Sequence, residues 1–306
     1  MSKIAIAVFA YRRPAHLDHV LQALKVQLRE ISVPLHLFID GAQCAKDIEA
    51  VNDCANVATR FARTADLQMH ISPTNQGLYR SLTNGVTSIL EQYEQIIVIE
   101  DDILTSPHFL LYMVSALDCY KDQQRVASIH GYLPPIPIQL PGSFFLRGAD
   151  CWGWATWRDR WPLYRHDAAA MAAEIRSRGL SKAFNLGGRV PNLRLLDDRA
   201  SGRSSSWAIC WHASCFLAER YTLHPGRSMV RNIGLDYSGE HCEPSSALEA
   251  VLTDNPLPIF RQKVEESQAI VEAFARQIAP PHLTIRVFRR LRTAFRNRTA
   301  VNRPVS

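Results

Sequence analysis

Apolar positions in the first part of the chain alternate between short continuous runs and helical stripes. Lys3 to Ala10 is an unbroken aliphatic run, as a parallel strand covered on both faces requires. Pro14 then opens a segment in which Leu17, Val20, Leu21, Leu24 and Leu28 recur at three- and four-residue steps, which predicts a helix to Arg29 with one apolar face. Leu35 to Ile39 reads as the next strand. A helical stripe follows (Val51, Cys54, Val57, Ala58, Phe61), then a short strand at Leu67 to Ile71. Leu82, Val86, Ile89 and Leu90 mark a third helix, and Ile96 to Ile99 a fourth strand. Ser106-Pro107 supplies an N-cap and a first-turn proline for a helix through Leu110, Leu111, Val114 and Leu117. This alternation implies βαβ crossovers, hence an α/β fold with a mostly parallel sheet and helices on both faces. It stops near Tyr132, so residues 1–130 form a first half and 131–255 a second, with 256–306 read as a helical, arginine-rich tail.

Polar residues cluster where these strands end. Tyr11-Arg12-Arg13 follows the first strand, Asp40 the second, Asn75-Gln76 the third and Glu100-Asp101-Asp102 the fourth. Open α/β sheets bind ligands outside the carboxyl ends of their strands, so this shared edge is the expected binding site.

Composition narrows the class. At 306 residues, 47% apolar and 21% charged, the chain can bury a full core. The apolar runs are too short to cross a bilayer. Ile4 to Ala10 is followed by Tyr11-Arg12-Arg13-Pro14 rather than by small residues, so it reads as a core strand and not a signal peptide, and the protein is expected to be cytoplasmic. Seven cysteines without CxxC spacing suit a reducing compartment. Cys210, His212, Cys215, His241 and Cys242 match no closed zinc pattern. The net charge of +6 resides in the tail: from Arg276 onward stand eight arginines and no acids, leaving 27 basic against 29 acidic residues before it. A nucleic-acid surface spread over the folded body is therefore not expected.

Three consecutive carboxylates after an aliphatic strand repel one another unless a positive group sits among them. A divalent cation meets that need, and Mg²⁺ or Mn²⁺ typically takes one or two carboxylates while substrate phosphates complete its shell. The alternative is an acidic turn before the next helix, favoured by that helix's dipole. With these motifs in order, the chain resembles the glycosyltransferases of the GT-A fold, in particular the animal N-acetylglucosaminyltransferases acting on mannose and bacterial surface-polysaccharide relatives. The resemblance spans roughly residues 3 to 245. It implies a nucleotide-diphospho-sugar donor, most often a UDP-sugar, and a Mn²⁺ or Mg²⁺ ion. It further implies that Tyr11, Arg12 and Arg13 touch nucleotide and diphosphate, that Asp40 reads the base, and that Asn75 and Gln76 lead the helix flanking the donor. Asp102 would hold the metal, with Glu100 and Asp101 facing sugar and ribose. Arg80 is a further, weaker phosphate candidate.

The second half is rich in tryptophan. Trp152, Trp154, Trp157 and Trp161 lie within one short stretch, and the last three are spaced like the buried face of a helix. Aromatic faces also stack on sugars, and the stretch resembles the acceptor-side segment of related transferases. That implies Asp150 and Trp152 as acceptor contacts, with Trp207 of Ser206-Trp207 beside them. Inverting relatives carry a carboxylate next to that tryptophan to deprotonate the acceptor hydroxyl. Here Ser205, Ser206 and Ala208 stand there instead, and Asp198, then Asp197 or Asp159, are the substitutes considered. His241, in the glycine-punctuated loop 232–241, is a candidate for diphosphate or metal.

Residues 283–298 form an amphipathic pattern with Val287, Phe288, Leu291 and Phe295 on one face and most arginines on the other. That suits an anionic membrane surface, at the inner face of the plasma membrane, or a helix docked on the body. Function is thus expected to be transfer of a sugar to a glycan or lipid-linked acceptor in surface-polysaccharide synthesis. The competing readings are a sugar nucleotidyltransferase and a non-catalytic carbohydrate-binding or membrane-active protein.

Overall fold

The computed structural model describes residues 3–235 and 248–279. The first half follows the alternation read above: β1 (Ile4–Ala10), α1 (Pro14–Leu28), β2 (Leu35–Ile39), α2 (Ile48–Ala62), β3 (Gln68–Ile71), α3 (Gly77–Gln92) and β4 (Gln95–Glu100). Then come β5 (Ile103–Thr105), α4 (Phe109–Tyr120), β6 (Val126–His130), β7 (Ser143–Arg147) and β8 (Trp154–Trp157). Four helices follow, α5 (Ala168–Ser177), α6 (Ser181–Phe184), α7 (Asn192–Ala200) and α8 (Ala208–Leu217), and the described part closes with β9 (Tyr221–Pro225), β10 (Val230–Asn232) and α9 (Gln268–Ile278).

Eight strands form one sheet in the order β3-β2-β1-β4-β8-β6-β9-β7. Four of its seven pairs are parallel, so the fold is a mostly parallel α/β sheet with helices on both faces. Alternate residues of β1 supply the two faces. Ile6 and Val8 pack with Leu17, Leu21 and Leu24 of α1, while Ala5, Ala7 and Phe9 pack with Leu82, Val86 and Ile89 of α3. Gly85 lets α3 settle onto Phe9, since a Cβ there would lie 2.5 Å from the phenyl ring.

Two expectations are corrected. Trp154 and Trp157 belong to a strand, not a helix, because β8 inserts antiparallel between β4 and β6. Three residues apart on a strand, they enter opposite faces of the sheet. Ser106 does not cap α4 with its side chain: that helix starts at Phe109, and Leu111 faces outward at 49% exposed. The described part of the chain beyond residue 255 also packs on the body. Phe145 bridges to Glu266, and Ile270 and Phe274 of α9 pack on Leu133, Phe144 and Leu146. Among the described residues no helix is long and apolar enough to cross a membrane.

Candidate functional site

Parallel pairing of β1, β2, β3 and β4 brings their carboxyl ends to one edge. The β4–β8 register ends with Val98 opposite Trp154 while β4 stays paired with β1 to Glu100, so Asp101–Asp102 and Asp150–Gly153 leave the sheet at that same edge. Gly153 at φ 60° sits against Ile103 and Val230, which joins the tryptophan segment to the chain beyond the acidic triplet. The donor-side and acceptor-side motifs of the sequence are thus neighbours.

The positive group among the carboxylates is Arg13. Its guanidinium spans the pair, with Nη2 donating to Asp101 and Nη1 to Asp102 Oδ2 at 3.0 Å. Burial opposes the charge on Arg13, but the two carboxylates outweigh it and raise its pKa. Burial also raises the pKa of Asp101, and Arg13 offsets that only in part. The two partners therefore shift in the same direction, since Asp101 is 3% exposed and desolvation outweighs the ion pair there. Glu100 is raised chiefly by burial and then by Asp102 and Asp101, with Arg13 offsetting this only in part. A second strap holds the cluster: Ile233 N–H donates to the Asp102 carbonyl at 2.8 Å, and β10 pairs with β5 directly beyond the triplet. Gly234 closes over the pair, where an added Cβ would lie 2.5 Å from Asp102 Oδ2 and 2.8 Å from Arg13 Nη1.

Tyr11 and Arg12 are fixed by a residue that sequence reasoning missed. Asp47 accepts from Tyr11 Oη at 2.9 Å and from Arg12 Nη1 at 2.7 Å. Arg12 first, then Tyr11 and Cys44, hold the Asp47 carboxyl down at about 2. The only signal for it was an acid a few residues beyond Asp40-Gly41.

Asp40 is placed differently from the expected base reader. Its Oδ1 accepts from Gly41 and Gln76 N–H, each at 2.9 Å, and its Oδ2 from Gly77 N–H at 2.9 Å and Asn75 Nδ2 at 3.3 Å. These bonds fill the buried carboxylate and cap the start of α3 from the neighbouring strand. Asn75 also donates to the Gly41 carbonyl and Gln76 to Ser72 Oγ, so both hold the β3–α3 loop. Gly41 permits this closure, because a Cβ would come within 2.4 Å of the Thr74 backbone. Arg80 is exposed on the first turn of α3.

On the acceptor side, Trp152 is half-buried edge-on to Tyr132 at 4.6 Å. Trp207 is 3% exposed and packs on Trp154 at 5.4 Å, with Trp161 and Trp211 in the same cluster. It is core, because the two tryptophan motifs pack on each other, and it offers no face to a sugar. Asp150 stands at the sheet edge with its side chain 38% exposed, its Oδ1 accepting from Cys151 N–H at 2.9 Å. Its Oδ2 lies 3.9 Å from His130 Nδ1, but this is no ion pair, since burial pushes the His130 imidazole down to about 3. His130 Nε2 accepts from Trp152 N–H at 3.2 Å, so Nδ1 carries the proton and faces His224 Nδ1 at 3.3 Å.

The substitutes for the missing carboxylate are all engaged elsewhere. Asp198 on α7 is forked by Arg203 at 2.6 and 2.8 Å, and Asp197 is paired with Arg176 at 2.6 Å. Asp159 follows β8 at the opposite edge of the sheet, near Glu94, bonded to Arg160 and Gln124. His241 and Cys242, with the 283–298 segment, lie outside the described residues. Cys210 and Cys215 are buried in α8.

Whether these residues fit a divalent ion turns on Asp102. Arg13 takes its Oδ2 and leaves Oδ1 outside that pair. No cluster of three or more histidine, cysteine or carboxylate side chains forms a metal cage among the described residues. A divalent ion at this edge would draw on the one remaining oxygen of Asp102 and would need a substrate's phosphates to complete its shell.

Together these features define an α/β protein with an arginine–carboxylate cluster and a neighbouring tryptophan segment at the carboxyl edge of its sheet. No family model matches the chain, and no curated protein matches it. Solved structures with related architecture include a Desulfovibrio desulfuricans G20 protein named for nucleotide-diphospho-sugar transfer, at 13% identity and TM-score 0.33 over 52% of this chain and 65% of that one. The chain thus spans just under two thirds of that protein. Glucosyl-3-phosphoglycerate synthase from Mycobacterium tuberculosis, solved with Mn²⁺, UDP and glucosyl-3-phosphoglycerate, matches at 11% identity and TM-score 0.37 over 65% and 80%. The 4-diphosphocytidyl-2C-methyl-D-erythritol synthase of Anaerococcus prevotii matches at 10% identity and TM-score 0.34 over 60% and 83%. These neighbours include both sugar and nucleotidyl transferases. At such scores nothing about this chain's activity follows from the likeness.

Proposed function

We propose that the chain is a GT-A-type glycosyltransferase that moves a sugar from a nucleotide diphosphate to an acceptor hydroxyl. The observation that carries this reading is the Arg13 fork across Asp101 and Asp102 at the carboxyl edge of β1 and β4. A guanidinium uses only part of its N–H set on two such bonds, and its other donors suit a diphosphate. Tyr11 and Arg12, held by Asp47, flank the nucleoside end of the same edge. Mn²⁺ or Mg²⁺ on Asp102 and the donor's phosphates would supply Lewis-acid charge to the departing diphosphate.

In this reading Arg13 stabilises the negative charge that develops as the sugar–phosphate bond breaks, and its fixed position avoids reorganisation at that moment. Asp150 takes the proton from the attacking hydroxyl. It is chosen over Asp198 because it lies at the donor edge, beside Trp152, and has no arginine or lysine partner among the described residues. Attack from the face opposite the diphosphate makes the reaction inverting. The arginine-rich segment 283–298 serves as a peripheral contact with an anionic membrane, which suits an acceptor in surface-polysaccharide synthesis.

Asp102→Asn tests the reading. It keeps the shape of the side chain and the Asp101–Arg13 pair, and is expected to lower nucleoside diphosphate release from a panel of UDP-sugars about a hundredfold or more. A rate equal to that of the unmodified protein would overturn it.

A further inference from the structure

A cavity of about 240 Å³ lies beside the outer end of the sheet, between β7, α7, α8 and α9. Leu146, Leu186, Leu195, Ile209, Phe274 and Ile278 line it. Asp150 belongs to its lining as well, which makes it continuous with the sheet edge that carries the site.

The polar residues of the wall have mostly committed their polar atoms elsewhere. Asn192 Nδ2 donates to the Phe184 carbonyl at 2.8 Å, and Arg147 Nη2 to the Phe216 carbonyl at 3.0 Å. His212 Nδ1 meets the Ala149 carbonyl at 2.8 Å, and His224 Nδ1 faces His130. Burial pushes the His224 imidazole down to about 3, so it brings no charge to the wall at neutral pH. What remains toward the space is the Asp150 carboxylate, the hydroxyl of Ser206, Nε2 of His212 and of His224 and Oδ1 of Asn192, set in a wall that is otherwise aliphatic and aromatic.

A free sugar is a poor occupant of such a space, because those of its hydroxyls that face the aliphatic and aromatic side chains would lose water without finding partners, at a cost of about 1–3 kcal/mol each. An apolar group loses nothing by entering, and a cavity of roughly 150 Å³ already accepts a benzene ring. With one carboxylate where the cavity meets the edge, the matching ligand carries its hydroxyl at the edge and an apolar body inside. We propose that this cavity binds the apolar aglycone of the acceptor, an alkyl or aryl group joined to the sugar whose hydroxyl Asp150 receives. The assignment rests on the transferase reading above and narrows its acceptor to an amphiphile.

The test is a thermal-shift titration of the full chain with methyl, hexyl and octyl β-glucosides below micellar concentration, with UDP titrated in the same series. Affinity is expected to rise about fourfold for each methylene the cavity encloses, so that enclosing three or four of the seven methylenes added between methyl and octyl gives on the order of a hundredfold. Ala208→Phe fills the space from α8 and Leu195→Trp from α7, the latter at a residue 47% exposed, where folding is easily kept. Both are expected to remove the chain-length gain and to leave UDP binding as it was. Equal affinity for methyl and octyl glucosides with UDP still bound, or a gain that survives both substitutions, would overturn the proposal. Glucoside binding without any UDP binding would instead overturn the transferase reading and, with it, the assignment of the ligand as an acceptor.

Discussion

Gly234→Ala is expected to lower nucleotide-sugar turnover about a hundredfold while leaving the melting temperature within a few degrees of the starting protein. The added Cβ would stand 2.5 Å from Asp102 Oδ2, 2.8 Å from Arg13 Nη1 and 2.9 Å from Asp102 Cβ, so something must move. The backbone of Gly234 is poorly placed to retreat. Its N–H donates to Asn232 Oδ1 at 2.8 Å, and the preceding Ile233 N–H is bonded to the Asp102 carbonyl. The side chains give way instead, and the guanidinium shifts by a sizeable fraction of an ångström from the position that meets the diphosphate. A misplacement of about 1 Å can cost about two orders of magnitude in rate. Gly142→Ala is the control, since a Cβ there meets nothing within 4 Å. The measurement is kcat/KM for nucleoside diphosphate release, with thermal melts on both variants. Full activity in Gly234→Ala would show that the Arg13–Asp102 pair takes no part in turnover.

Arg13→Met is expected to act on stability and binding together. It leaves Asp101 and Asp102, 3% and 7% exposed, side by side without their cation. Removing one partner of a buried ion pair typically costs about 3–5 kcal/mol, because the remaining charge stays desolvated. For a protein of this size that is a fall in melting temperature on the order of 10 °C. Binding of UDP should be lost as well. Arg13→Lys keeps the charge but not the fork, and should recover stability more than binding. Adding Asp101→Asn to Arg13→Met should return part of the lost stability, as expected for residues coupled in one network. A melting temperature unchanged by Arg13→Met would mean that these carboxylates are not held by the arginine.

The parts of this picture that were legible in the sequence are those written in local periodicity. The alternation from β1 to α4 follows from apolar spacing alone, and the polar residues after each parallel strand meet at one edge because parallel strands share a direction. Where pairing is non-local, the pattern misleads. Trp154 and Trp157 are spaced as on a helix, but the neighbours that β8 finds in β4 and β6 make it a strand, and nothing within those residues announces the partners. Residue types on the edge were readable, but their pairings were not. Three adjacent carboxylates point to a cation, yet which cation depends on Arg13 lying across the β1–β4 pair from them. Asp40 and Asp47 exchange expected importance for a similar reason: one is filled by backbone donors of a distant loop, and the other anchors two residues of the first strand's loop. Gly234 is visible in one dimension only as part of a glycine-punctuated loop, because its role is the space it leaves above a side chain from the far end of the chain.

The most direct test is a crystal structure of the protein with UDP and Mn²⁺. The diphosphate is expected within hydrogen-bonding distance of Arg13, beside the free oxygen of Asp102, with the uridine toward Tyr11 and Arg12. Nucleotide bound away from the β1–β4 edge, or Arg13 and Asp102 left untouched by it, would contradict the proposal that this edge is the donor site.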